Sequence, residues 1–419
     1  MMDPGMKKIS VLIGIGFVDM LGFAMIFPLL PFYALRLQAP EWVIGWMIAS
    51  FSIAQLASSP IWGRLSDRFG RRPALMVGLA ASGIAFVVFG FATSIWLLFL
   101  SRLIQGAGGG TTGVAQAYIG DAIEPKNRAK ALGWLSAATS AGVMIGPAIG
   151  SLATTFGHEA PGLIAGALCL LNVAFAWRWL PETSPGTDRG IGGSTDRRIV
   201  GVGAAHALPS ADPPIRRSIR AAVWEVVRRP GATVPRLIWI YAIGMLGFMS
   251  MTGVLALYLE REFAVTEKTI GLFFMYTGAL SVVLRAVILG RLVDALGERR
   301  VMRLGGVSLA LGLLLIPFAH TIPLLAVAIA FIPTGTALLF PATTALVTHE
   351  APDTERGQVM GVQQTFGGIA RVIAPIWATA AFQGLGPAVP FFVASAIVGV
   401  VVVLAFQVRA PAVVAGEHS

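Results

Sequence analysis

Long apolar runs, each about the length of a membrane-crossing helix, follow one another along almost the whole chain. A helix needs about 20 apolar residues to span a hydrocarbon core about 30 Å thick. Twelve stretches meet that need: 9–33, 43–63, 73–92, 95–118, 130–154, 161–180, 236–258, 268–289, 301–319, 322–346, 357–381 and 387–408. Prolines at Pro28, Pro31 and Pro147 interrupt two of them without ending the helical pattern. The first run has only Lys7 and Lys8 before it and no cleavage-like site after it, so it reads as a retained anchor, not a removed signal.

The polar positions between the runs alternate in charge. Arg64, Arg68, Arg71 and Arg72 follow the second run. Lys126, Arg128 and Lys130 follow the fourth, and Arg291, Arg299, Arg300 and Arg303 the eighth. The intervening loops hold little beyond Arg36, Arg261 and Lys268. By the positive-inside rule the basic loops and both termini are expected in the cytoplasm, as in a bacterial inner membrane. The longest loop, 181–235, is rich in Gly, Pro, Ser and Arg, then offers Ile219, Val223 and Val226 on one helical face with arginines opposite. That pattern predicts a short helix at the cytoplasmic membrane surface.

Composition narrows the class. Of 419 residues, 56% are hydrophobic and 12% charged, with a mean hydropathy of +0.76. A soluble protein of this length cannot hide that much apolar surface, and a disordered chain is excluded by the same balance. The net charge of +10 is accounted for by the basic loops, so no nucleic-acid partner is expected. Cys169 stands alone, which excludes an intramolecular disulfide and a cysteine-built metal site. The histidines show no ligand spacing, and no metal is expected.

An internal repeat divides the chain. Gly63-Arg-Leu-Ser-Asp-Arg-Phe-Gly-Arg-Arg-Pro-Ala-Leu-Met-Val-Gly78 aligns with Gly290-Arg-Leu-Val-Asp-Ala-Leu-Gly-Glu-Arg-Arg-Val-Met-Arg-Leu-Gly305, with seven of sixteen positions identical. Each copy follows the second run of a six-run half. The expected architecture is all-α and integral to the membrane, with twelve transmembrane helices in two pseudo-symmetric six-helix halves. The halves are residues 1–180 and 236–419, joined by the linker 181–235. Two parallel repeats around a midplane site is a transporter arrangement.

With these residues in view, the chain resembles the major facilitator superfamily along essentially its whole length. Gly63, Asp67, Arg68, Gly70, Arg71 and Arg72 match its signature loop. Asp19-Met-Leu-Gly22 with Pro28 and Pro31, Arg102-Leu-Ile-Gln105-Gly106, and Gly142-Val-Met-Ile-Gly146-Pro147-Ala-Ile-Gly150 are similar to motifs of the twelve-helix drug–proton antiporters of the multidrug and tetracycline efflux type. The resemblance implies that the signature loop latches the halves on the cytoplasmic side and that Asp121 receives an arginine when the latch rearranges. Ordinary anchoring charge is the plainer reading of both. The second copy has Asp294 but carries Ala295 and Glu298 where the first has Arg68 and Arg71. In the fifth run, Gly142, Gly146 and Gly150 share one helical face, and Pro147 bends the helix. Close packing and a moving seam between halves are both compatible with that stripe.

Counting ionisable groups sharpens the picture. Of 21 acidic residues, Asp19 alone falls deep inside a run, about 15 Å in from residue 9 at 1.5 Å per residue. A charge at such depth costs at least about 2.5–3.5 kcal/mol and usually marks a relay, a pathway or a structural pair. Arg102 enters from the other side by roughly 9 Å, so an Asp19–Arg102 pair is expected, either as a proton-coupling element or as a static buried pair. Arg371 lies mid-run with Gln364 on its face and is a candidate substrate contact. Arg285 falls about one turn from a run's end, where snorkelling explains it. Gln55, Gln105, Gln116 and Gln364 offer neutral hydrogen bonds, and Phe23, Phe27, Tyr241 and Tyr276 aromatic walls, although helix packing explains any one of them equally well.

Absences count too. There is no phosphate-binding G-x-x-x-x-G-K-[ST] loop, and the glycines 106 and 108–110 lie in an apolar run with no strand before them, which argues against a dinucleotide site. No cofactor is expected, and no enzymatic constellation is visible. The expected function is proton-coupled export of small amphipathic molecules by alternating access, as a monomer in the lipid bilayer. Uptake or facilitated transport of an organic anion, lipid translocation, and a non-transporting receptor or scaffold remain as alternatives.

Overall fold

The structure, a computed structural model, describes residues 4–182, 219–352 and 354–408. Among the described residues every regular element is helical. Eleven helices are long and apolar enough to cross a membrane: Ser10–Arg36, Glu41–Phe69, Arg71–Gly90, Asn127–Phe156, Ala160–Trp179, Thr233–Phe263, Ile270–Leu296, Glu298–Phe318, Ile322–Glu350, Arg356–Leu385 and Val389–Phe406. The remaining span, the fourth, is broken into Ile95–Gly108 and Thr111–Ala122. Each piece alone is too short to cross. Counting it, the fold has twelve spans in two six-helix halves, as the run pattern predicts.

Several spans run past their apolar runs, the first and the eighth among them. The first continues through a tight turn at Phe27–Leu29 to Arg36. The eighth passes through a π-helical segment, Leu284–Ile288, to Leu296. Its extension is amphipathic: Leu289, Leu292, Val293 and Leu296 pack on the core, while Gly290 is exposed. Arg285 therefore lies eleven residues before the helix end, about 16 Å at the helical rise, and not one turn from it. The short linker helix forms over Ile219–Arg228. Its apolar face packs on protein, contrary to expectation. Val223 and Val226 lie against Ile238, Ala242, Val362 and Phe366 of the seventh and eleventh spans, and Trp239 Nε1 donates to the Val226 carbonyl at 3.1 Å.

The two halves meet along two seams, the second span on the eleventh and the fifth on the eighth. Both seams are tight at the face away from the basic loops. A Cβ at Gly45 would strike the Pro375 carbonyl and Thr379, and one at Gly271 would strike Pro147 and Ser151. Arg36 bridges to Glu267 at 3.0 Å, the Gly271 amide donates to Ser151 Oγ at 2.9 Å, and the Trp42 amide donates to Gln383 Oε1 at 3.1 Å. At mid-depth Gly278 meets Met144 and Gly368 meets Leu56. Nearer the basic loops contact ceases. A Cβ at Gly63, Gly133, Gly357 or Gly361 would meet nothing within 4 Å, and Ile61 and Trp134 are exposed. The halves thus touch at the far face and splay toward the basic face.

Candidate functional site

The break in the fourth span is where the interior chemistry gathers. Close packing against the second and third spans requires small residues there. A Cβ at Gly108 would collide with the Gly78 carbonyl, and one at Gly110 with the Trp62 ring. A break frees backbone carbonyls that lipid cannot satisfy. The second span supplies the donors: Ser58 Oγ reaches the Gly106 carbonyl at 3.4 Å, Trp62 Nε1 the Ala107 carbonyl, and Gln55 Nε2 the Gly109 carbonyl at 3.2 Å.

Asp19 stands at this break. Its Oδ2 accepts from Thr111 Oγ1 at 3.5 Å, and Thr111 opens the second half-helix of the span. A helix start carries partial positive charge that favours an anion. The carboxylate is therefore held by a hydroxyl and a helix end.

The expected Asp19–Arg102 pair does not form. Arg102 is 2% exposed. It lies over the Phe89 ring at 5.3 Å, with Nε 3.5 Å from Ser101 Oγ and one terminal nitrogen without a partner. Thr111 lies nine residues beyond Arg102, a rise of about 13 Å, so the two charges occupy different depths.

The fifth-span glycines follow the close-packing reading. Cβ atoms at Gly142, Gly146 and Gly150 would strike the backbone of Phe17, Leu21 and Met25. The stripe therefore seats the fifth span on the first, within one half. The seam between halves belongs to Met144, Pro147 and Ser151 on another face of the same helix.

At the basic face the signature loop is ordered as a network. Gly70 adopts φ +102°, which reverses the chain between the second and third spans. Arg71 bonds Asp67 Oδ1 at 2.6 Å, Asp121 Oδ2 at 2.8 Å and Ser66 Oγ at 2.6 Å. The Arg71 amide donates to Glu182 at 2.9 Å. Arg72 donates to the Trp177 carbonyl, and Arg68 lies over the Phe69 ring at 5.3 Å. Gly63 marks the splayed end of the second span. In the second half, Gly297 repeats the turn with φ +77°. There Arg299, one residue further on than Arg71's counterpart, bonds Glu350 at 2.6 Å, while Glu298 meets His349 at 3.2 Å.

Of the candidate substrate contacts, Phe23 and Phe27 stack at 5.7 Å, Phe51 joins at 5.3 Å, and Phe274 reaches across from the other half at 6.5 Å. Tyr241 meets Phe340 at 5.3 Å. Arg371 makes no hydrogen bond or ion pair among the described residues. Gly367 and Gly368, one turn before it, face Tyr241 and Leu56 respectively, so its face looks between the seventh span and the opposite half. Gln364 and Gln116 are exposed, whereas Gln105 is 3% exposed. Tyr276 turns away, donating to the Ala326 carbonyl at 3.2 Å. Ser66, Thr111, Glu182 and Glu350 are the participants that motif reading misses.

A family model, the Major Facilitator Superfamily, matches residues 12–288 and 237–417. The chain belongs to the major facilitator superfamily. It is 26% identical to Multidrug resistance protein 2 of Bacillus subtilis over 370 residues, covering 86% of this chain and 84% of that one. It is 24% identical to the class B tetracycline resistance protein of Escherichia coli over 375 residues, covering 88% and 86%. The crystal structure of the human organic anion transporter MFSD10 superposes with a TM-score of 0.67 at 20% identity, covering 96% of this chain and 100% of that one. That likeness establishes the facilitator fold, and the chain is a multi-pass membrane transporter, not an enzyme.

Proposed function

We propose that this facilitator exports small amphipathic molecules in exchange for protons, by alternating access, with the basic loops and both termini in the cytoplasm. Two six-helix halves, 1–180 and 236–419, rock about the interior, with 181–235 as the tether. The observation that carries the reading is Asp19, a carboxylate inside a span, set at a broken helix and held by a neutral hydroxyl and a helix start, with no cationic side chain bonded to it. Such a group changes charge by one proton with little rearrangement of its surroundings. The relatives named for multidrug and tetracycline resistance support export as the direction.

In this state the cavity opens toward the basic face. Arg71 bridges Asp67 and Asp121, which is the arginine position that belongs to an opened latch. Phe23, Phe27 and Phe274 offer an apolar aromatic wall, and Arg371 offers a cation to an anionic or zwitterionic substrate. Asp19→Asn in proteoliposomes tests the coupling. Substrate flux driven by an imposed pH gradient is expected to vanish, with passive counterflow retained. Undiminished pH-driven flux in that variant would remove Asp19 from the mechanism.

A further inference from the structure

The corner where the first, third and sixth spans meet at the basic face holds a cleft of about 580 Å³, lined by Ser10, Val11, Arg72, Trp177, Arg178 and Pro181 among others. It lies outside the seams and apart from Asp19. Its walls combine two arginines with two tryptophans that remain more than half exposed, although the Trp179 ring packs on Phe175 at 4.7 Å. Trp177 is 66% and Trp179 56% exposed.

Neither arginine forms an ion pair among the described residues. One terminal nitrogen of Arg72 is engaged by the Trp177 carbonyl, but its Nε is buried with no hydrogen-bond partner. Arg178 lies over the Trp179 ring, 5.8 Å from its centre, a contact that leaves its donors available. The carboxylates nearest these arginines in sequence are engaged elsewhere: Asp67 bonds Arg71 at 2.6 Å, and Glu182 faces the Gly70–Arg71 backbone. The cleft is thus cationic with unused donors.

Its depth is also defined. It sits where the sixth span ends and the third begins, at the level where tryptophan and arginine collect between lipid tails and water. We propose that this corner binds the phosphodiester headgroup of an anionic phospholipid. Arg72 and Arg178 take phosphate oxygens, and the two tryptophans lie along the glycerol and upper acyl region. A guanidinium fork suits phosphate oxygens, and a zwitterionic lipid adds an ammonium or choline that this cationic corner repels.

Native mass spectrometry of the full chain, released from micelles with phosphatidylglycerol or phosphatidylcholine of the same acyl chains, tests the assignment. Phosphatidylglycerol is expected to be retained at least about fivefold more, the scale of one basic side chain near an anionic surface. Arg178→Gln is expected to abolish that preference and Arg178→Lys to keep most of it. Arg178 is at the surface, and a thermal unfolding midpoint equal to wild type shows that each variant is folded. Equal retention of the two lipids by wild type, or an undiminished preference in Arg178→Gln, overturns the proposal. Displacement of the lipid by inorganic phosphate at equal concentration would also overturn it, by showing that the corner reads a free anion and no lipid.

Discussion

Replacing Gly45 by alanine puts a methyl group where the second and eleventh spans touch. The added carbon would meet the Pro375 carbonyl oxygen and Thr379 Oγ1, with the Pro375 carbonyl carbon at 3.0 Å. Thr379 Oγ1 is itself bonded to the Pro375 carbonyl at 2.8 Å, so neither obstacle moves independently. Overpacking of this kind costs about 1–3 kcal/mol. The contact exists only while the far face is closed, so the cost falls on one state of the gate. At 1.4 kcal/mol per factor of ten, the ratio of far-closed to far-open molecules should drop about 5- to 150-fold. Gly146→Ala is the control. Its methyl would press on Ala24 and the Leu21 carbonyl, both in the same half, so it should lower stability without moving the ratio. Nitroxide labels at Ser59 and Gly361, both exposed on the splayed side, report the distance across the basic face by pulsed electron resonance. A shift to shorter distances is expected in Gly45→Ala and not in Gly146→Ala. An unchanged distribution in folded Gly45→Ala, or the same shift in both, refutes the assignment of this seam to one state.

The same labels test the latch. Asp121→Asn removes one of two carboxylates on Arg71 and is expected to shift the ratio by about two- to fivefold away from the splayed state, the scale of a partly exposed pair; no shift would reduce Asp121 to an anchoring charge. Arg371→Gln is expected to raise KM for an anionic substrate about tenfold while leaving a neutral one within twofold, on the 1.5–3 kcal/mol scale of a hydrogen bond to a charged group; equal changes for both would place Arg371 outside the binding surface.

The spans were legible because each is a near-continuous apolar run, and a bilayer enforces their length. Their ends were less so. The extension of the eighth span to Leu296 carries apolar residues on one helical face only, at 289, 292, 293 and 296, so a hydropathy reading stops early and misplaces Arg285 near an edge. The break at Gly108–Gly110 was hidden for a different reason. Glycines in an apolar run signal close approach, and nothing local says whether the helix survives it. Asp19 stood out by count, but its partner did not. Two opposite charges at similar nominal depth suggest a pair, and only the break shows that Thr111 and not Arg102 reaches the carboxylate. The stripe Gly142–Gly146–Gly150 announces a tight neighbour without naming it. Glu182 and Glu350 lie outside the repeated motif, each completing a turn that the motif begins.

The packing suggests how a proton at Asp19 is felt at the gate. The first span is seated on the fifth by backbone contacts at Gly142, Gly146 and Gly150, and backbone contacts of that closeness do not slide without large penalties. Another face of the fifth span carries Met144, Pro147 and Ser151 onto the eighth. A displacement of the first span at Asp19 is thus passed to the seam through one rigid intermediary. Proximity alone does not establish coupling; a measured dependence does. The Ser59–Gly361 distance distribution should change with pH in the wild type, and the change should vanish in Asp19→Asn. Were the pH response intact in Asp19→Asn, no charge change on the first span would reach the seam, and the fifth span would be a bystander.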